Sequence, residues 1–257
     1  MINSKLLSLC SLVKGNKLDY LQGDGDFRSG ECLGIMGQAD IIVTNPPFSL
    51  FNDYIKMLLY LNKKFLIIGN MNAANNILLF NQIKSDEIRL GFTQPKYFTD
   101  EKGLIKSFGN VVWFTNLVSK DTKPKLKLYC RYKDNKYYRY ENYDAIEVNS
   151  LKKIPDDYSG KMGVPISFIK YYDPNEFRII GIGNGRSIPE IKPISAEALK
   201  IYKQNGGTGH YTTAMKILYY YDEQGNVKFP FSRIVVQKNI TNFFVIINKE
   251  MRLTSLC

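Results

Sequence analysis

The chain has 257 residues and a formal net charge of +11, from 35 lysine and arginine residues against 24 aspartate and glutamate residues. This length allows one large domain or two, and the excess positive charge favours a polyanionic partner such as nucleic acid. The cysteines are scattered and a single histidine is available to join them, which argues against a zinc site and against a disulfide framework.

The N-terminal segment has a faint likeness to a signal peptide. A lysine precedes a short apolar run, but serine and cysteine interrupt that run and no small-residue cleavage site follows. Nowhere does an apolar stretch approach the ~20 residues that a membrane-spanning helix needs. The sequence therefore predicts a cytoplasmic protein without a membrane partner.

In the first half of the chain, predicted strands and helices alternate. A short extended segment over residues 17–22 is followed by a helix over 29–38, and the unbroken apolar run at Ile41–Thr44 predicts a buried strand. Ser49 is placed to cap the next helix, whose apolar residues repeat with helical spacing from Phe51. A strand over 65–68 and a helix over 75–83 complete the series. Such an order implies a parallel sheet with right-handed crossovers.

From about Gly91 the pattern changes to an α+β character. Strands over residues 109–116 and 126–132 are predicted to form an antiparallel pair around a charged loop. Further strands are predicted at Phe177–Ile182 and at Tyr219–Tyr221. We place a domain boundary near residue 118.

The tetrapeptide Asn45-Pro46-Pro47-Phe48 follows the predicted strand directly. An amine on an aromatic ring is a poor nucleophile because its lone pair is delocalised into the ring. The Asn45 side-chain oxygen and the Pro46 carbonyl could accept hydrogen bonds from the two N–H groups of such an amine and favour a pyramidal nitrogen. The prolines stiffen the loop, and Phe48 offers a face to an extruded base. The pattern predicts methyl transfer to an amino group, although Asn and Pro also dominate ordinary turns.

Six segments, taken in order, resemble the adenine-specific DNA methyltransferases of the EcoRI type: residues 23–29, 43–51, 64–70, 109–116, 142–146 and 162–166. The resemblance implies a Rossmann-like α/β sheet that uses S-adenosyl-L-methionine as cofactor. It also implies methylation of adenine N6 in double-stranded DNA, in the context of restriction–modification. A cognate restriction endonuclease is then a further expected partner.

The resemblance also assigns roles to individual residues. Asn45, Pro46, Pro47 and Phe48 match the amine-binding catalytic loop of the family. Asp26 and Phe27 look like an Asp-Phe pair whose carboxylate accepts a hydrogen bond from the adenine amine of the cofactor. Because Asp26 lies in a Gly-Asp-Gly-Asp cluster, a plain turn role for it stays open.

One feature departs from the family pattern. The residues before Asn45 contain no convincing glycine-rich cofactor loop, so the sheet is expected to lack its first strands and to need a missing N-terminal fragment. We expect 1–118 to be a partial catalytic domain and 119–257 to be a C-terminal part that recognises the target. The glycine-rich segment Ile179–Gly185 is an alternative candidate for the cofactor loop. A plain turn describes it better, because no helix opens after it.

Two other functions remain open on the sequence alone. The chain could be an inactive or split DNA-binding remnant, since its first strands are missing. It could also methylate an RNA base or a protein glutamine, although such enzymes tend to carry Tyr at the position of Phe48.

Overall fold

The computed structural model describes residues 9–10, 19–91, 93–99, 102–117 and 124–239, with side chains from Leu21 onward. The chain divides into two compact units, Met1–Gln82 with Glu87–Lys120 and Ile83–Asp86 with Asp121–Cys257. The architecture of the described part is mixed α/β, with several sheets and few helices. Every helix in that part is too short or too polar to cross a lipid bilayer.

The described elements of the first unit are, in chain order, β1 (Leu9–Cys10), β2 (Asp19–Tyr20), α1 (Gly30–Gln38), β3 (Ile41–Thr44), α2 (Phe51–Tyr60), β4 (Lys64–Asn70), α3 (Ile77–Lys84), β5 (Arg89–Leu90), β6 (Tyr97–Thr99), β7 (Ile105–Ser107) and β8 (Val111–Thr115). The last residues of α3, from Ile83, belong to the second unit. Its main sheet has the order β3-β4-β8-β5. Strands β3 and β4 are parallel, as predicted, whereas β8 is antiparallel to both β4 and β5.

The helices of this unit follow from local signals. Helix α1 begins after Ser29, whose hydroxyl accepts a hydrogen bond from the Cys32 N–H at 3.2 Å. Helix α2 buries the apolar stripe that its spacing predicts, namely Phe51, Tyr54, Ile55 and Leu58. Strand β4 runs two residues further than predicted, because Gly69 and Asn70 pair with β8.

The prediction of a buried β3 is wrong. Ile42 is buried, but Ile41 and Val43 are 51% and 64% exposed. Strand β3 lies at one end of the described sheet, and the alternation shows that only one of its faces is covered. An unbroken apolar run cannot reveal which of its two faces has a neighbour.

The predicted antiparallel pair of residues 109–116 and 126–132 is also wrong. Strand β8 pairs with β4 along one edge and with β5 along the other, so both of its edges are occupied. Residues 126–132 form no strand, and Cys130 makes only an isolated bridge with Pro155.

The described elements of the second unit are β9 (Ile146–Glu147), β10 (Lys161–Pro165), β11 (Phe177–Ile182), α4 (Ala196–Gln204), β12 (Tyr220–Tyr221), β13 (Val227–Lys228) and β14 (Arg233–Lys238). Its main sheet has the order β11-β14-β10-β9, with β14 antiparallel to both of its neighbours. The predicted strand at Phe177–Ile182 is confirmed. Strand β12 covers part of the predicted Tyr219–Tyr221 strand and forms a hairpin with β13.

The glycine-rich segment after β11 forms a closely packed turn. The Asn184 side-chain oxygen accepts hydrogen bonds from the N–H groups of Arg186 and Ser187. A Cβ on Gly183 would lie 2.7 Å from the Leu218 side chain. Contact with a neighbouring segment therefore accounts for this glycine without a ligand.

Candidate active site in the first unit

The loop Asn45-Pro46-Pro47-Phe48 lies at the carboxyl end of β3. Thr44, the last residue of β3, pairs with Ile67 of the parallel strand β4, so the loop leaves the sheet beside a second parallel strand. Ligands of open parallel sheets collect at this edge. Pro46 is buried and anchors the loop, whereas Asn45 is exposed and Phe48 is 45% exposed. The arrangement presents an amide and an aromatic ring to an external ligand.

Backbone geometry stiffens this loop. Pro47 has φ −56° and ψ 126°, and its carbonyl accepts a hydrogen bond from the Leu50 N–H at 3.0 Å. A 3₁₀ turn over Phe48–Leu50 then leads into α2. The prediction of Ser49 as the helix cap is wrong, because this turn continues into the helix through backbone hydrogen bonds and no side chain caps α2.

The start of α2 is held close to the sheet by a glycine. The Phe51 ring packs against Phe114 of β8, with ring centroids 5.1 Å apart. A Cβ on Gly69 of β4 would lie only 2.4 Å from the Phe51 ring. Any side chain at residue 69 would displace Phe51, so Gly69 helps to fix the position of the loop that precedes α2.

A second asparagine loop follows β4. The Asn70 side-chain oxygen accepts a hydrogen bond from the Asn72 N–H at 2.9 Å and starts a 3₁₀ turn over Met71–Asn75. The Met71 N–H donates to the Asn110 carbonyl at 2.7 Å. This loop borders the same sheet edge as Asn45, and the end of the neighbouring strand was the sequence signal that could have identified it.

Asp26 is held by hydrogen bonds from Arg28. Its carboxylate accepts from the Arg28 Nη2 at 2.6 Å and from the Arg28 Nε and backbone N–H, both at 2.9 Å. The side-chain bonds and then the backbone bond lower the pKa of Asp26 to about 2. The carboxylate is therefore ionised at neutral pH and contributes to a local turn.

Phe27 connects this segment to α2. Its ring meets the Tyr54 ring edge-on, with centroids 5.0 Å apart, and the Arg28 guanidinium lies 5.5 Å from the Phe27 centroid. The segment that carries Asp26 and Phe27 is thereby packed on the helix that follows the Asn45 loop. One unit thus contains both parts of the predicted site.

Comparison with known proteins places these features in a family. Residues 6–239 match a family described as "Adenine-specific methyltransferase EcoRI". The chain is 42% identical over 183 residues to the Type II methyltransferase M.EcoRI of Escherichia coli, which covers 63% of this chain and 56% of that protein. It is 37% identical over 189 residues to the Type II methyltransferase M.MgeORF184P of Mycoplasma genitalium, covering 65% of this chain and 60% of the relative.

A third relative, the Type II methyltransferase M.MpnI of Mycoplasma pneumoniae, is 35% identical over 181 residues, or 57% of its length. The chain thus spans less than two thirds of the length of these curated relatives. No solved structure matches it significantly. Because the family match covers residues 6–239 of the 257, the chain belongs to the EcoRI-type family of adenine-specific methyltransferases.

Proposed function

We propose that this chain transfers methyl from S-adenosylmethionine to N6 of adenine in double-stranded DNA, as the modification half of a restriction–modification pair. Family membership and the names of the relatives support the reaction class. The observation that carries the proposal is the loop after β3, where buried Pro46 anchors a chain that leaves Asn45 and Phe48 exposed.

In this proposal the loop acts by positioning the target amine. The Asn45 side-chain oxygen and the Pro46 carbonyl accept hydrogen bonds from its two N–H groups, so that the nitrogen lone pair points at the incoming methyl group. Phe48 stacks on the adenine, which must leave the duplex at a cost of about a few kcal/mol. A strong base is unnecessary, because the amine becomes acidic once it is methylated and can then lose its proton.

Asp26 and Phe27 are the residues that would hold the cofactor, which supplies the electrophilic methyl group when bound. A carboxylate with a pKa of about 2 is a hydrogen-bond acceptor at neutral pH, as an adenine amine requires. Arg28 uses part of its acceptor capacity, but a carboxylate offers about four lone-pair sites. The residues present therefore fit this part of the cofactor.

The sheet of the first unit supports a partial Rossmann-like domain. Strand β3 is the last strand at one end of the described sheet, so it has a neighbour on one edge only among the described strands, and its side chains Ile41 and Val43 are more than half exposed on one face. We infer that further strands of the methyltransferase belong beside β3 and carry the rest of the cofactor site, from another segment or from a separate fragment. The second unit is then the part that recognises the DNA target.

Product analysis tests the proposed reaction. The chain is incubated with duplex DNA and tritiated S-adenosylmethionine, and the hydrolysed DNA is examined for labelled N6-methyladenine. The proposal predicts that product, from the chain alone or after addition of a fragment that completes the sheet. If calorimetry shows no cofactor binding in either form while a gel still shows a DNA shift, the chain is a DNA-binding remnant and the proposal fails.

A further inference from the structure

A cleft of about 550 Å³ lies within the second unit, and none of the residues assigned above lines it. Its lining combines aromatic rings, side-chain amides and one buried ion pair, and the residues that matter here are Asn149, Tyr211, Tyr220, Phe229, Arg233 and Glu147. Its volume is within the range of about 300–1,000 Å³ that is typical of small-molecule sites.

The ion pair joins Arg233 and Glu147. The Arg233 Nη2 lies 2.6 Å from the Glu147 Oε1, and the two side chains are 12% and 2% exposed. The Tyr140 hydroxyl also donates to the Glu147 carboxylate, and the Arg233 Nη1 donates to the Phe231 carbonyl at 2.8 Å. These bonds fix the guanidinium and use one N–H on each of its terminal nitrogens. Each of those nitrogens carries a second N–H.

The charge of this pair limits the ligand. Glu147 offsets the charge of Arg233 at close range, so the ion pair as a whole has no net charge while the guanidinium still offers N–H donors. At the rim, Lys228 is likewise paired with Asp222 at 3.3 Å. A phosphate would gain little from such a site, whereas a neutral group with carbonyl or ring-nitrogen acceptors would suit it.

The aromatic residues of the cleft favour a planar ligand. Tyr211 and Phe229 are stacked with centroids 4.0 Å apart, and Tyr220 is stacked on Tyr138 at 4.9 Å. Because neighbouring rings hold them, these side chains would lose little conformational freedom when a ligand binds. Aromatic surfaces of this kind stack nucleobases of any sequence.

We propose that this cleft binds a nucleobase of an unpaired nucleotide, with its ring against the aromatic residues and its acceptor edge on Arg233. Guanine, whose O6 and N7 are the commonest base partners of arginine, matches the remaining donors best. The assignment rests on the proposed function in one respect only, that DNA supplies the base, which must leave the duplex to enter the cleft. It adds a base-binding site to a unit that lacks the catalytic loop.

Fluorescence anisotropy with two labelled single-stranded heptanucleotides tests the site in the full chain. One heptanucleotide, the guanine strand, carries guanine at its central position, and the other carries an abasic sugar there. We expect the wild-type chain to bind the guanine strand roughly tenfold more tightly, the effect of stacking one base. Asn149→Trp places a large ring at the exposed rim and should remove that difference. Asn135→Trp, at an exposed residue outside the cleft, should retain it.

A second variant, Tyr220→Leu, should also remove the difference without blocking the cleft. Free deoxyguanosine, added as competitor, identifies the source of the base. If it displaces the guanine strand when present at the same concentration as that strand, the cleft binds free nucleosides. If it does not, the cleft binds a base that is part of a strand. Equal affinity of the wild-type chain for both strands, or an unchanged difference in Asn149→Trp, overturns the proposal. Asn45→Ala should keep the guanine difference, so failure of the catalytic proposal would show separately.

Discussion

In the loop after β3, Asn45 is exposed to solvent, whereas Asn142 and Glu147 of the second unit are buried. The Asn142 amide donates to the carbonyls of Lys192 and Ile217 at 2.8 and 2.7 Å. Glu147 is held by Arg233 and Tyr140. Both regions lie within residues 6–239, which match the family, yet one leaves its polar groups open to a ligand and the other uses them to join distant parts of the chain.

Buried polar groups and exposed polar groups therefore serve different roles, the first in holding the fold together and the second in binding a ligand. A buried polar group must be paired within the protein, because leaving it unpaired costs about 1–3 kcal/mol or more. An exposed amide on a stiff backbone has no such requirement, because it is free to bind an external ligand. Substitutions in the two regions should therefore differ in kind, affecting stability in the second unit and methyl transfer in the loop.

The largest effect on stability is expected from Arg233→Met. It leaves the Glu147 carboxylate buried without its cation, and the free energy of unfolding should fall by about 3–5 kcal/mol. Urea denaturation measures this loss. Lys136→Met breaks an exposed pair with Glu223 and should leave the denaturation midpoint unchanged. An equal loss of unfolding free energy in both variants would show that burial of an ion pair does not determine its contribution to the stability of the second unit.

Gly69→Ala tests the packing that places the loop. The new methyl group would collide with the Phe51 ring, and the free energy of unfolding should fall by about 1–3 kcal/mol. Gly34→Ala in α1 is the matched control, since a Cβ there meets nothing within 4 Å. That variant should gain stability, by about 0.5–1 kcal/mol. Equal thermal stability of the two variants would contradict the proposed contact.

Phe48→Ala should affect activity and spare stability. The ring is 45% exposed, so its loss should change the free energy of unfolding by less than about 0.5 kcal/mol. Loss of base stacking should lower methyl transfer roughly tenfold or more. Tyr60→Ala, at a residue that is 88% exposed in α2, should change neither quantity. Unaltered transfer in Phe48→Ala would exclude a stacking role.

The smallest effect is a change in titration. Asp26 should titrate with a pKa of about 2 in the wild-type chain, and Arg28→Ala should raise that pKa towards its ordinary value of 3.8. Because folding depresses this pKa, its stabilising contribution is present above the unfolded pKa and is lost as the pH falls through about 2. Carboxyl NMR signals followed against pH would measure both values, and identical values would contradict the pairing.

Local signals predicted helices α1, α2 and α3 and several strands of this molecule, whereas α4 was not predicted. The segment that starts at Ser29 predicted α1, the apolar spacing predicted α2, and the apolar run at Phe177–Ile182 predicted β11. The Asn45 loop was located at a strand's carboxyl end for the same reason, since its prolines and the preceding strand are adjacent in sequence. These features depend on residues a few positions apart.

Pairing between distant segments was not predictable in the same way. Strand β8 has partners on both sides, Ile41 and Val43 are left uncovered, and Glu147 pairs with Arg233 across 86 residues. No periodicity in a single sequence specifies which strand is a neighbour or which carboxylate meets which guanidinium. The cleft of the second unit could not be predicted from the sequence because its lining residues come from separate segments.

The proposed methyl transfer depends most on Asn45 as the acceptor for the target amine. Single-turnover methyl transfer to duplex DNA should be compared between Asn45→Ala and Asn52→Ala, an exposed asparagine in α2, in whichever form of the wild-type protein is active. We expect Asn45→Ala to lose about 100-fold or more in rate with DNA affinity nearly unchanged, as for removal of one preorganised polar contact in other enzymes, and Asn52→Ala to match the wild type. Retained transfer in Asn45→Ala would contradict the catalytic role of the loop.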